Sequence, residues 1–437
     1  MRTEDMILVS VDDHIIEPPD LFTQRLPARI RDHAPRVVKL ADGTERWRME
    51  DRYMNTVASL AVWGRRREEL GCEPIAYDGI RRGCYDVPAR VDDMNANGVL
   101  ASLNFPTMPG FGGEQFQRGQ DKALMQALIA VYNDWHCDEW CGAHPGRFIP
   151  AALLPLWDVD LAVGELRRMA AKGARAIYFP ENPCPFGLPS IHREDWDPLW
   201  RACVDLDVVV MIHIGTSGES RFQSLDTPVD VANTLINMGT SNCLAELLYS
   251  PVPRRFPALK LALPEACVGW LPYFMERADI AYGQHRFWTH QDFGALKPSD
   301  ILKRNFLYCF HQDPIGIKYR HEVGVERITW ECDFPHADST WPNSPEVLAE
   351  GFAGIPDREI AMITHENALR YFNFDPFGVI DRRQATVGAL RARARHVDVT
   401  PKSMGGIQPA TQDLRPVTMG DMARVYQAAN ATPVAPA

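Results

Sequence analysis

Nothing in this chain of 437 residues is built to span a bilayer, because no apolar run approaches the roughly 20 residues that a membrane helix requires. The opening MRTEDMILVS carries acids where a secretory leader would be basic and then long and apolar, so a cytoplasmic location is expected. Positive charge is in deficit. Lys and Arg number 46 against 57 Asp and Glu, a net charge of -11, which argues against non-specific nucleic-acid binding. An anionic substrate stays open, since a metal ion and a few arginines reverse the potential locally. Paired cysteine motifs are missing as well. In HCDEWCGAH (136–144) Cys137 and Cys141 sit one helical turn apart with no second pair nearby, and read as packed thiols, not a closed metal site. The rest of the 10 cysteines are scattered through apolar segments, as buried thiols in a reducing compartment would be.

What is present is a chain of 46% hydrophobic residues, long enough for a large core. From Pro88 onward, helical patterns alternate with short apolar runs: VLASLNF (99–105), RFIPAALLP (147–155), GARAIYF (173–179), DVVVMIHI (207–214), ALKLALPE (258–265), NFLYCFH (305–311) and RITWECDF (327–334). With LVSVDDHI at 8–15 they make an α/β chain of parallel strands buried on both faces. That number of units favours closure into a (β/α)8 TIM barrel, because closure removes both sheet edges. The predicted barrel covers residues 1–375, with an insertion at 23–85 after the first strand that narrows a site mouth. Its arginines Arg65, Arg66, Arg67, Arg81 and Arg82 read as a solvated basic face or as holders of a phosphate or carboxylate. Residues 376–437 form a C-terminal extension that packs on a partner subunit or ends as a mobile tail, and a homodimer is expected.

In such a barrel, residues at the carboxyl ends of strands converge on one mouth. Asp12 and His14, two apart on the first strand, share a face, and Pro18 and Pro19 stop the strand so that Glu17 stands near the mouth. Further along come His213, then Glu265, then His311 and Asp313, then Glu331, Asp333, His336 and Asp338. Imidazoles and carboxylates together hold divalent cations and leave a position for water or substrate. Asp333 is placed both to ligate and to move a proton, and His336 to orient Asp333 or meet the substrate. His285, between Tyr282 and Trp288, is a further candidate catalytic contact.

These pieces resemble the second amidohydrolase family, metal-dependent hydrolases and decarboxylases on a distorted (β/α)8 barrel. The resemblance is carried by VDDHIIEP (11–18), MIHIG (211–215), FPALKLALPEACVGWLPYFMERAD (256–279), WECDFPHADSTWP (330–342) and ENALRYF (366–372). It implies Asp12, His14 and His213 as metal ligands and Asp333 as the catalytic aspartate; read from the residues themselves, Glu265 and Asp333 complete the metal set for one or two divalent ions of iron, zinc or manganese, and His336 and His285 join Asp333 as candidate catalytic residues. An aspartate opens the first pair where the family usually has histidine or glutamate, and Glu265 or Ala266 stands where it has histidine. Lys172 and Lys260 lie away from the end of the fourth strand, so a carbamylated lysine has no candidate.

The departures resemble a branch of nonhaem-iron acyl-CoA thioesterases in diterpenoid antibiotic biosynthesis. The leading expectation is therefore a metal-dependent hydrolase acting on a carbonyl substrate, a coenzyme A thioester. Metal-dependent nonoxidative decarboxylation of an aromatic or unsaturated acid is the rival, and a catalytically silent binding barrel the third reading.

Overall fold

A computed structural model describes residues 1–41, 43–54, 57–58, 60–218, 222–408 and 415–428. Each apolar run that the sequence marks becomes a buried strand. In chain order the strands are β1 (Leu8–Ile15), β2 (Arg36–Lys39), β3 (Glu45–Met49), β4 (Arg52–Tyr53), β5 (Val99–Pro106), β6 (Phe148–Ile149), β7 (Ala151–Ala152), β8 (Ala176–Tyr178), β9 (Val209–Met211), β10 (Leu261–Leu263), β11 (Phe306–Phe310) and β12 (Ile328–Trp330). Strands β1-β5-β6 form one sheet and β7 to β12, in sequence order, a second, all paired in parallel.

The two sheets are arcs of one distorted barrel. Pro150 divides what would be a single strand, because it has no N–H to give a ladder. Its carbonyl still accepts from Arg175 N–H at 2.8 Å, which carries the pairing from β6 and β7 on to β8. The ring shuts on the other side beyond β12, where Asp333 N–H donates to Asp12 O (2.8 Å) and His14 N–H to Phe334 O (2.7 Å). The (β/α)8 expectation thus holds, and closure itself brings the first and last strand ends together.

The helices between strands start and stop where side-chain chemistry dictates. The helix Val87–Asn97 is capped by Asp86, which accepts from Ala89 N–H, and ends on Gly98 at φ 75°, a left-handed turn that suits glycine. Lys122–Asp134 begins on Asp121, which accepts from Leu124 N–H, and runs into a π-helical turn through Cys141. Here Cys137 and Cys141 are buried thiols, Cys137 Sγ donating to Lys172 O at 3.3 Å. All ten cysteines are unpaired with one another.

The insertion contains a small antiparallel sheet, β2-β3-β4. It also packs against the loop that follows β12. Val62 N–H and Trp63 N–H both donate to Pro335 O at 3.0 Å, and the Trp63 indole donates to Trp341 O. The C-terminal extension runs back over its own chain. The helix Val387–Arg393 packs on Val87–Asn97, Lys402 N–H donates to Gly64 O (3.0 Å), and Glu73 and Ile407 exchange backbone hydrogen bonds of 3.1 and 2.9 Å. Met419 N–H then donates to Thr227 O at 2.8 Å. The final NATPVAPA segment, read as a mobile tail, lies outside the described residues. No helix among the described residues is long and apolar enough to cross a membrane.

Candidate metal centre

Strand geometry decides which side chains meet. On β1 the pleat sends Asp12 and His14 to one face, while Asp13 turns away and accepts from Ser10 Oγ (3.2 Å) and Phe334 N–H (3.1 Å). His213 follows β9, Glu265 follows β10, and Asp333 follows β12. Glu265 and Asp333 have φ of 50° and 55°, left-handed geometry that is uncommon for residues with side chains and here turns each carboxylate inward off its strand.

The five groups converge. His14 Nε2 lies 3.3 Å from Asp12 Oδ1 and 3.2 Å from Asp333 Oδ1, and His213 Nε2 lies 3.3 Å from Asp12 Oδ2 and 3.5 Å from Glu265 Oε2. The two imidazole Nε2 atoms are 3.3 Å apart. Asp12, His14, His213, Glu265 and Asp333 are all buried. His213 Nδ1 sits 2.7 Å from Ile214 O, a contact that calls for a proton on Nδ1 and leaves Nε2 as a lone pair. His336 stacks on His14 with centroids 3.8 Å apart and places Nδ1 2.9 Å from Asp333 Oδ1.

Charge is the decisive property of this cluster. Burial lifts the Asp12 carboxyl well above the usual carboxylate range, with Glu265 and Asp333 adding like charge. Burial likewise pushes Glu265 up to about 8 and Asp333 well above its ordinary value. His14 is held well below the usual imidazole value by burial, then by His336 and His213. Both carboxylate oxygens of Asp12 and both of Asp333 are buried without a hydrogen-bond partner. Buried polar atoms are ordinarily satisfied, so a set of orphaned oxygens facing two imidazoles is the arrangement a divalent cation completes. Asp12, His14 and His213, and again His14, Asp333 and His336, bring ligand atoms within 4.8 Å of one another. Mixed nitrogen and carboxylate donors suit manganese, iron or zinc, and the residues present fit such an ion.

Several residues support the ligands from behind. Arg90, fully buried on the helix Val87–Asn97, donates to His14 O and to Gly83 O (2.6 Å), fixing the backbone of the first-strand ligand. Glu331 accepts Glu265 N–H at 2.9 and 3.1 Å, and Asn237 Nδ2 donates to Glu265 O at 2.7 Å, so both sides of that peptide are held. Phe111, in the glycine-rich loop after β5, places its ring 4.5 Å from both His14 and His213. Glu17 ties β1 to the same loop by accepting from Thr107 N–H (3.0 Å) and Met108 N–H (2.7 Å).

Other sequence candidates land elsewhere. His285 is exposed on the helix Leu271–Thr289, where its Nδ1 accepts from the Trp288 indole at 3.2 Å, and the structure does not bring it to the cluster. Asp313 is engaged structurally, accepting from Val268 N–H (2.6 Å), Gly269 N–H (2.7 Å) and Gly316 N–H (2.7 Å). His311 and Asp338 line a cleft of about 610 Å³ beside the cluster, together with Asn237, Trp63 and Arg67. Lys172 pairs with Asp134 and Asp138, and Lys260 with Asp207, all away from the metal cluster.

The coenzyme A thioester expectation fails on two counts. The arginines meant for its phosphates are largely engaged: Arg65 is buried and donates to Gly79 O (2.5 Å), Arg81 holds Asp93 through two bonds of 2.6 and 2.9 Å, and Arg82 pairs with Asp86. The proteins that this chain is similar to also differ from thioesterases. It is 24% identical over 311 residues to 2-amino-3-carboxymuconate-6-semialdehyde decarboxylase of Dictyostelium discoideum, covering 68% of this chain and 79% of that one. A solved amidohydrolase of Mycobacterium avium subsp. paratuberculosis superposes with a TM-score of 0.66 at 20% identity, over 84% of this chain and 99% of its own. A 5-carboxyvanillate decarboxylase of Novosphingobium aromaticivorans, solved with manganese and 4-hydroxy-3-methoxy-5-nitrobenzoic acid, superposes with a TM-score of 0.59 at 18% identity, over 86% and 100%. The likeness to diterpenoid thioesterases, and with it the thioesterase and antibiotic-biosynthesis reading, is corrected accordingly. The family profile described as amidohydrolase matches residues 77–374 and runs through His213, Glu265 and Asp333. This chain belongs to the amidohydrolase family of metal-dependent enzymes.

Proposed function

We propose that the protein is a metal-dependent nonoxidative decarboxylase of a small aromatic or unsaturated carboxylic acid, and that two chains associate. The observation that carries the reading is the position of Phe111. Its ring lies over the two imidazoles of the centre, so a flat conjugated acid entering the mouth meets an aromatic surface directly beside the ligand atoms. The decarboxylases among the similar proteins support the same class of substrate.

When bound, the cation supplies charge that draws in the substrate's carboxylate and a neighbouring oxygen and neutralises the anionic pocket. Asp12, His14, His213 and Glu265 would hold it. Asp333, buried and out of reach of bulk water, donates a proton to the substrate carbon that carries the carboxylate. The carbon–carboxylate bond then breaks, its electron pair returns to the conjugated system, and carbon dioxide leaves. His336, 2.9 Å from Asp333, orients the carboxyl and lies on the route by which the proton is restored. The insertion, pinned on Pro335 two residues beyond Asp333, keeps water from that face.

The test is turnover of hydroxybenzoates and carboxymuconate-type acids by metal-loaded enzyme in deuterium oxide and, separately, in oxygen-18 water. Release of carbon dioxide with one deuterium at the vacated carbon and no oxygen-18 in the product is expected. Retention of all carbon with uptake of one oxygen-18 would overturn the reading.

A further inference from the structure

A second cleft opens beside the metal cluster, between the loop after β5 and the turn that follows His213. It holds about 310 Å³, at the small end of the range for ligand sites. Phe111, whose ring already lies on His14 and His213, forms one end of its lining, and Gly215, two residues past His213, forms part of its floor. A methyl group built on Gly215 would meet nothing within 4 Å, so the space above that backbone is open.

Arg118 lines the same cleft. The backbone that carries it is held by its neighbours: Phe116 is fully buried, and Gln117, also buried, donates from Nε2 to Leu154 O at 2.9 Å. The guanidinium is stacked on Phe186, its central carbon 4.7 Å from the ring centre, which fixes its plane. Beyond that stack its side chain has no hydrogen-bond or ion-pair partner among the described residues. Glu114, the acid in the same cleft, is committed elsewhere. It is buried, and both its oxygens accept from Gly112 N–H at 3.2 Å. The other arginines around the mouth differ from Arg118: Arg65, Arg81 and Arg82 are engaged, and Arg67 shares its cleft with Asp338, an acid that offsets its charge. A guanidinium that is positioned by stacking, set on a rigid segment and left without an acid is a receptor for an anion.

We infer that Arg118 selects the substrate by receiving a second carboxylate, on the end of the conjugated plane away from the metal. The inference rests on the decarboxylase reading above and narrows it from aromatic and unsaturated acids at large to dicarboxylic ones. One carboxylate meets the cation and leaves as carbon dioxide, its carbon taking the proton of Asp333. The other stays on the guanidinium through two parallel hydrogen bonds and is retained in the product. The plane between them lies along Phe111. Holding the acid at both ends fixes which of its carboxylates faces Asp333, and the product, held at one end alone, departs more readily than the substrate.

Isothermal titration calorimetry of the manganese-saturated full chain tests this. The Asp333→Asn background is used so that the acids are bound and not consumed, and salicylate is compared with 4-hydroxyisophthalate and 2-hydroxyterephthalate at one ionic strength. One of the two diacids is expected to bind about 10- to 100-fold tighter than salicylate, the gain that charge-assisted hydrogen bonds bring. In Arg118→Gln that advantage should vanish while the dissociation constant of salicylate stays within about twofold. Arg118→Lys, which keeps the charge and loses the fork, should retain part of it. Diacids that bind no tighter than salicylate with Arg118 in place, or an advantage that survives Arg118→Gln in a chain with an unaltered circular dichroism spectrum, would overturn the assignment. Because binding is measured and not carbon dioxide, a protein that holds a diacid through Arg118 yet does not decarboxylate it in the parent form would refute the reaction and uphold the site.

Discussion

His14 Nε2 and His213 Nε2 face each other at 3.3 Å across the barrel mouth, from strands that lie 199 residues apart in the chain. With His213 Nδ1 directed to Ile214 O, His213 presents its Nε2 lone pair to His14, whose Nδ1 has no hydrogen-bond partner. A cation between the two Nε2 atoms takes a bond from each in place of the one hydrogen bond they can share.

Removal of metal should therefore cost folding stability as well as turnover. Exhaustive chelation is expected to lower the melting temperature, and saturating manganese or zinc to restore it. An ion at 100 times its dissociation constant contributes about 2.7 kcal/mol by mass action. Differential scanning calorimetry checks this, and a melting temperature indifferent to chelator would count against the ligand set.

Replacement of His213 by Ala and of Asp333 by Asn should separate binding from chemistry. His213→Ala loses a ligand atom and is expected to purify with metal content reduced at least tenfold. Asp333→Asn keeps the shape and an oxygen that still faces the ion but has no proton to give, so kcat should fall by about 10²–10⁴ while metal content drops less than in His213→Ala. Elemental analysis beside steady-state kinetics distinguishes the two.

Phe111→Ala removes the aromatic surface that packs on His14 and His213 without removing a ligand atom. Loss of ring stacking worth about 0.5–1.5 kcal/mol predicts a KM for aromatic acids up to roughly tenfold higher, with kcat less affected. An unchanged KM would mean that substrate approaches from another side.

Glu73 links pH to the strap between insertion and extension. Burial pushes its carboxyl up to about 8 from an ordinary 4.5, so the folded chain holds that proton more tightly than the unfolded one. Its contribution is complete below about pH 4.5 and is lost as pH rises through about 8. Glu73→Gln, which keeps an acceptor for Leu60 N–H, should flatten the decline of stability across that window. Urea midpoints measured at pH 5, 6.5 and 8 are the check.

Much of this architecture was open to inspection in the amino acids. The barrel strands are apolar and short, and His213, Glu265 and Asp333 stand just past their ends, so type and position could be read together. The ligand geometry depended on something local sequence does not encode, namely the left-handed turns at Glu265 and Asp333 that aim their carboxylates inward. Phe111 and Arg90 were hidden for another reason: each acts across the fold on a β1 residue far away in the chain, and neither sits at a strand end. β2 to β4 escaped because RVVK, ERWRM and RY are charged and brief; pairing holds them as strands, with only β3 burying side chains, Trp47 and Met49 among them. His285 looked promising among Tyr282 and Trp288, but it lies on the last part of the helix Leu271–Thr289, where every residue from Gly283 to His290 is exposed.

The strap formed by Lys402 on Gly64, Ile407 on Glu73 and Met419 on Thr227 sets a schedule for the nascent chain. A ribosome must deliver the chain as far as Lys402 before the wall near Trp63 acquires its outer brace. The pocket floor can be assembled earlier than its rim, so shelter from water is the last property this protein acquires as it is made.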